Sequence, residues 1–192
     1  MAPSPAVTGD SVGIAGVRFC SAATGAAAWR RSWRSDASLL AAAGSPCAAA
    51  EASPIVFLVR HAEKAATGGN DPDLSTAGQE RAETLARMLK DAEIIAIFTT
   101  EFKRTRETAA PTAKATKISP TVVPANDIPA MAEKLRPLKG NALVVAHGNT
   151  IPDLVKALGI EVPVAVPEND YSELFVIIMT EKPRLVRLHY PN

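Results

Sequence analysis

The stretch Ile55-Val56-Phe57-Leu58-Val59-Arg60-His61 sets the reading of the fold. Five apolar residues in a row, rich in β-branched side chains, suit a strand buried on both faces, as in a parallel sheet. The run ends abruptly on a cation and an imidazole. Ala142-Leu143-Val144-Val145-Ala146 repeats the pattern and ends on His147-Gly148-Asn149-Thr150. Two buried strands, each delivering a histidine at its carboxyl end, predict an α/β sheet with a site along that edge, where open sheets of this kind bind ligands.

The residues between and beyond these runs alternate helix and strand. Ser75 can cap a helix that buries Leu85, Ala86, Met88 and Leu89. Ile94–Phe98 reads as a second strand, and Lys103–Lys114 as a helix kinked or delayed at Pro111. Thr121–Val123 is a short strand, Pro129–Leu138 a short helix, and Thr150–Leu158 a helix capped by Thr150 with Pro152 in its first turn. Glu173–Met179 and Arg184–Leu188 close the chain as an antiparallel pair. The pattern predicts a three-layer α/β sandwich: a mainly parallel open sheet with helices on both faces.

The chain has 192 residues and a formal net charge of +1. The charge balance argues against a protein that coats nucleic acid or a polybasic membrane surface. No run reaches the roughly 18 apolar residues of a membrane-spanning helix. The composition shifts near Ser53. Residues 1–53 hold both cysteines, both tryptophans, 16 alanines, four arginines and no lysine, whereas 54–192 carry 17 basic and 17 acidic residues. We therefore divide the chain into a leader, 1–53, and a catalytic domain, 54–192. Trp29-Arg30-Arg31-Ser32-Trp33-Arg34, then an alanine- and leucine-rich stretch, has the order of an export signal, such as a signal peptide. Twin arginines point the same way, toward a periplasmic or secreted protein rather than a cytoplasmic one. The composition also fits an organellar transit peptide or a disordered extension. The domain lacks cysteine, and its histidines lack zinc-ligand spacing, so no metal or other cofactor is expected.

A third block, Thr99-Thr100-Glu101-Phe102-Lys103-Arg104-Thr105-Arg106-Glu107-Thr108, follows the second strand at another helix start. It adds two guanidinium groups, whose fork matches phosphate oxygens and keeps its charge at any ordinary pH. Three strand ends thus aim two histidines and up to three arginines at one region. Phosphoryl transfer, which spreads negative charge over three oxygens, needs such a cluster. His189 has no partner motif and reads as an ordinary hydrogen-bonded residue.

Val56-Phe57-Leu58-Val59-Arg60-His61-Ala62-Glu63 resembles the signature of the histidine phosphatase superfamily, with its phosphoglycerate mutase-like fold. The spacing Thr100, Arg104, Thr108 resembles that family's second block, and Val144-Val145-Ala146-His147-Gly148 its third. The resemblance implies that His61 attacks phosphorus and becomes phosphohistidine. It implies that Arg60, Arg104 and His147 bind phosphoryl oxygens, with His147 as a cation, and that Gly148 and Asn149 border the substrate. It selects Arg104 over Arg106. The acid-phosphatase branch carries Asp where this chain has Gly148, which leaves the leaving-group acid open among Asp127, Glu63 and none. Without one, aryl phosphates and phosphohistidine would be better substrates than alkyl phosphates. Only 42 residues separate Arg104 from His147 and 13 separate His61 from Ser75, too few for a large cap over a sugar phosphate. The expected activity is a phosphohydrolase with an open site for a small phosphorylated molecule or a phosphoprotein. The alternatives are a mutase-type phosphotransferase and a non-catalytic phosphoryl-binding module.

Overall fold

The computed structural model describes residues 53–191. The leader reading lies outside the described residues, apart from Ser53. The elements run β1 (Ile55–Arg60), α1 (Thr76–Met88), β2 (Ile94–Thr99), α2 (Lys103–Thr116), β3 (Thr121–Val122), α3 (Ile128–Leu135), β4 (Asn141–Ala146), α4 (Ile151–Ala157), β5 (Glu173–Ile178) and β6 (Arg184–His189). The strands form one six-stranded sheet in the order β3-β2-β4-β1-β5-β6. The β1–β4, β2–β4 and β2–β3 pairs are parallel, and β1–β5 and β5–β6 are antiparallel. The last hairpin turns where expected, and its first strand also closes on β1, so the sheet is mixed rather than purely parallel.

The central strands are apolar throughout because both their faces are covered. On β4, Ala142, Val144 and Ala146 face one core with Met131 and Leu135 of α3 and Ile151, Leu154 and Val155 of α4. The intervening Leu143 and Val145 face a second core with Leu85 of α1 and Ala109 of α2. The two-residue alternation of a strand thus feeds two cores from one apolar run. At about 25 cal/mol per Å² of apolar surface, each fully buried leucine contributes roughly 1.5–3 kcal/mol.

Local signals place most element ends. Ser75 caps α1 by accepting the Gly78 N–H at 3.1 Å. α2 runs on through Pro111, which neither delays nor ends it. The lost hydrogen bond is offset by burial of Thr105, Thr108, Ala109 and Thr112 along its inner face. α3 starts one residue earlier than the sequence suggests and stops at Leu135, well short of Leu138. Thr150 occupies the N-cap of α4 without bonding its free N–H groups. Its hydroxyl instead donates to the His147 carbonyl at 3.1 Å and accepts the His147 N–H at 3.2 Å. Among the described residues no helix is long and apolar enough to cross a membrane.

The start of α1 seats directly on the segment that follows β1. A Cβ added to Gly78 would overlap the Glu63 backbone carbonyl. Gly78→Ala is therefore expected to destabilise the protein by about 1–3 kcal/mol, the range for overpacking a filled site. Thermal or urea unfolding measures this directly, and an unchanged midpoint would refute the packing argument.

Candidate active site

Parallel pairing of β1 with β4 brings the two strand ends together. Arg60 pairs with Ala146, and the His61 N–H donates to the Ala146 carbonyl at 2.9 Å. The imidazoles of His61 and His147 then stand edge to face with centroids 5.3 Å apart. Both are buried in the wall of a cleft of about 390 Å³, lined also by Arg60, Arg104, Gly148 and Asn149.

His61 is held in one tautomer. Its Nδ1 lies 2.8 Å from the Ala62 carbonyl, which can only accept, so Nδ1 carries the proton and Nε2 keeps a free lone pair. The supporting peptide is itself fixed: the Ala62 N–H donates to Thr108 Oγ1 at 2.9 Å, and that hydroxyl donates to the Arg104 carbonyl at 2.7 Å. Thr108 thereby ties the segment bearing His61 to the helix bearing Arg104, which gives the spacing from Arg104 to Thr108 a physical purpose.

Each arginine of the cleft is braced by an aromatic ring. The Arg60 guanidinium carbon lies 4.3 Å from the Tyr171 ring centre, and that of Arg104 4.3 Å from Phe102. Arg60 Nη1 is drawn toward the loop before β5, near the carbonyls of Pro167 (3.0 Å), Glu168 (2.6 Å) and Asp170 (3.3 Å). Arg60 Nε, by contrast, is buried with no partner, beside Gly148. A buried N–H without an acceptor is costly, and an anion in the cleft would supply one. Arg104 is largely buried, and its one carboxylate contact among the described residues is a long one of 3.6 Å to Asp71.

Burial, chiefly, and then the neighbouring cations hold both imidazoles well below their ordinary range. For His61 burial outweighs the raising effect of the Ala62 carbonyl, and His147, Arg104 and Arg60 push in the same direction as burial, so its pKa is lowered to about 4. His147 is lowered to about 4 by burial and Arg104, against the opposing charge of Glu101. Burial and the guanidinium charges of Arg104 and Arg60 thus work against the cationic form expected of His147. His147 Nε2 lies 3.0 Å from Thr100 Oγ1, itself 3.0 Å from Thr105 Oγ1, so hydroxyls anchor the ring.

Four of the side chains singled out in the sequence, Arg60, His61, Arg104 and His147, come together, with Gly148 and Asn149 at the border. Arg106 is exposed on α2. The carboxylates are engaged elsewhere. Asp127 caps α3, accepting the Ala130 N–H at 3.0 Å. Glu63 receives the Arg81 guanidinium at 2.8 and 2.9 Å. Glu168, in the loop that holds Arg60, is exposed and also lines the cleft. Among the described residues no three His, Cys, Asp or Glu side chains are grouped as metal ligands.

Sequence reasoning missed Tyr171, Glu168 and Asn126. The first two sit in a loop with no periodic signal, and Asn126 beside the more conspicuous Asp127. Phe102 lay within the second block, where only its arginines drew attention.

These features define a phosphoglycerate mutase-like α/β fold whose strand ends present paired histidines and arginines. The model of the histidine phosphatase superfamily, branch 1, matches residues 56–126, a span that includes β1 from Val56 on, His61 and Arg104. Among solved structures, the protein histidine phosphatase SixA in complex with tungstate aligns at TM-score 0.60 and 22% identity, over 70% of this chain and 96% of that one. The mycobacterial glucosyl-3-phosphoglycerate phosphatase Rv2419c aligns at TM-score 0.57 and 16% identity, over 72% of this chain and 100% of that one. Likeness at these identities establishes the fold. A comparison with curated protein sequences finds no match.

The placement of the two arginines predicts a ranking. Arg104→Ala removes a guanidinium from the cleft and is expected to lower turnover by about 10²–10³-fold, as loss of an oxyanion donor does. Arg106→Ala, on the solvent side, is expected to change the barrier by well under about 1 kcal/mol. Steady-state rates on an aryl phosphate test the order, and the reverse order would refute the assignment.

Proposed function

We propose that this chain is a phosphohydrolase that works through a phosphohistidine intermediate on His61. The observation that carries the reading is the Nδ1 bond of His61 to the Ala62 carbonyl, which leaves Nε2 unprotonated and open to the cleft side of two arginines. A nucleophile with a lone pair, beside fixed cations that can take phosphoryl oxygens, is the minimum that transfer to nitrogen requires. The superfamily match over residues 56–126 supports the same chemistry.

In the first step the Nε2 lone pair forms a bond to phosphorus, and the bond from phosphorus to the leaving atom breaks, its electron pair leaving with that group. Arg60, through its unpaired Nε, and Arg104 bind the equatorial oxygens. His147 lies beside them, held by Thr100. In the second step a water oxygen bonds to phosphorus, the N–P bond breaks, its electrons return to Nε2, and the water's proton passes to solvent as orthophosphate forms. The guanidinium groups supply the positive charge, so no metal is assigned a role. The cleft is open, which suits a small or protein-borne phosphoryl group.

Acid quenching during turnover of a labelled aryl phosphate should trap label that is acid-labile and base-stable, and His61→Ala should abolish both the label and the activity. Turnover should be indifferent to chelator. Label on serine or aspartate, or activity lost to EDTA and restored by a divalent cation, would count against this mechanism.

The depressed pKa of His61 has a consequence for pH dependence. Only the neutral ring attacks, and protonation of the free site begins near pH 4 rather than 6.5. After correction for the substrate's own ionisation, kcat/KM is expected to stay level from pH 7 to about 5 and to fall near 4. A limb at about 6.5 would show that the imidazole is solvated.

A further inference from the structure

Beside the cleft lies a second chamber of about 280 Å³ that is lined by neither His61 nor Arg60. Arg104, His147 and Asn149 line both spaces. The chamber's remaining wall is Phe102, Ala125, Asn126 and Thr150. In an in-line displacement the leaving atom lies opposite the nucleophile. His61 lines the cleft but not the chamber, and the residues shared by both are those that would hold the phosphoryl group, so the chamber is the space available to a group leaving away from His61. Its volume lies at or below the lower end for small-molecule pockets, room for about one ring.

The chamber wall holds no carboxyl group. Asp127 is turned into the cap of α3, and its neighbour Asn126 takes the place on the wall. Glu101, close enough to act on His147, has its carboxylate at 2.8 Å from the Ala125 N–H. The Thr150 hydroxyl is spent on His147 backbone groups. An amide can donate a hydrogen bond to a departing oxygen but cannot give it a proton.

Resting on the hydrolase reading above, we propose that this chamber is the leaving-group subsite and that Asn126 is its specificity-determining residue. The substrates are then phosphates of planar, weakly basic leaving groups of single-ring size, such as aryl oxides. When the P–O bond breaks, the oxygen keeps both electrons and leaves as the anion, hydrogen-bonded by the amides of Asn126 and Asn149 and by Arg104. The proton it finally takes comes from solvent. Phe102 and Ala125 provide the apolar side of the ring's seat.

The test uses the full chain in rapid-quench single turnovers with 4-nitrophenyl and phenyl phosphate, the wild type beside Asn126→Asp and Asn126→Ala. In the wild type, phosphorylation of the enzyme is expected to favour the nitrophenyl substrate by about 10²-fold or more, since no positioned acid helps the poorer leaving group. Asn126→Asp, assayed on the acid side where its carboxyl group is partly protonated, should shrink that preference by about tenfold or more. Asn126→Ala should slow phosphorylation. The attacking water enters on the side from which the leaving group departed, so both variants alter hydrolysis of the phosphoenzyme, but within each enzyme that rate should agree within about twofold after either substrate, because the aryl group has already gone. A preference unchanged in Asn126→Asp, or a phosphorylation rate unchanged in Asn126→Ala, would overturn the subsite while leaving the phosphohistidine mechanism standing. Absence of any phosphoenzyme in the wild type would overturn both.

Discussion

The parallel pairing of β1 with β4 is the constraint on which the site depends. One register places Arg60 beside Ala146 and joins the His61 N–H to the Ala146 carbonyl. A slip by one residue would turn every side chain of β1 to the opposite face and exchange the two cores. Both cores are filled, by α3 and α4 on one side and by α1 and α2 on the other, so the register is specified by the burial of Val56, Leu58 and Val59. The packing that stabilises the protein is thus also what fixes the two imidazoles 5.3 Å apart.

Around that fixed pair the site is assembled from distant segments with partly unmet bonding capacity. Arg60 is the clearest case. Carbonyls of the loop before β5 draw in one terminal nitrogen and Tyr171 supports the guanidinium plane, yet Nε is buried and unpaired. The fold holds this charge in place before any anion arrives, which is the preorganisation that electrostatic catalysis needs. Arg104 and Phe102 repeat the arrangement across the cleft. The cost is visible in the histidines, both pushed to about 4 by burial and by the neighbouring guanidinium charges, which favours neutral imidazoles beside the charged arginines. A phosphoryl dianion brought between the two guanidinium groups would find matching charge and a ready lone pair.

Glu63, Arg81 and Tyr190 show how the rest of the domain supports the segment that bears His61. Arg81 grips the Glu63 carboxylate and donates to the Tyr190 carbonyl at 3.2 Å, joining α1, the segment after β1 and the end of the chain. The Glu63 backbone carbonyl accepts the Ser75 N–H at 2.9 Å. The residue after the Ala62 carbonyl is thereby held from several directions. A carboxylate that the sequence offers as a candidate acid belongs to this scaffold.

The sequence by itself determined the strand–helix order and the strand ends on which chemistry falls. The second block's resemblance to the family, not its spacing alone, set Arg104, which lines the cleft, apart from the exposed Arg106. These are local properties: apolar runs, cap residues and the spacing of side chains along one helix. Folding decided the rest. Tyr171 and the carbonyls of residues 167–170 reach Arg60 from more than a hundred residues away, with no period to announce them. Whether Asp127 or Asn126 lines the chamber beside the cleft turned on which of two adjacent residues capped α3. Burial and the charges of Arg104 and Arg60, gathered from separate segments, act against a cationic His147, a sum that no local stretch of sequence shows. Chain order fixes which groups exist at a strand end; only close packing removes their water and sets their charge.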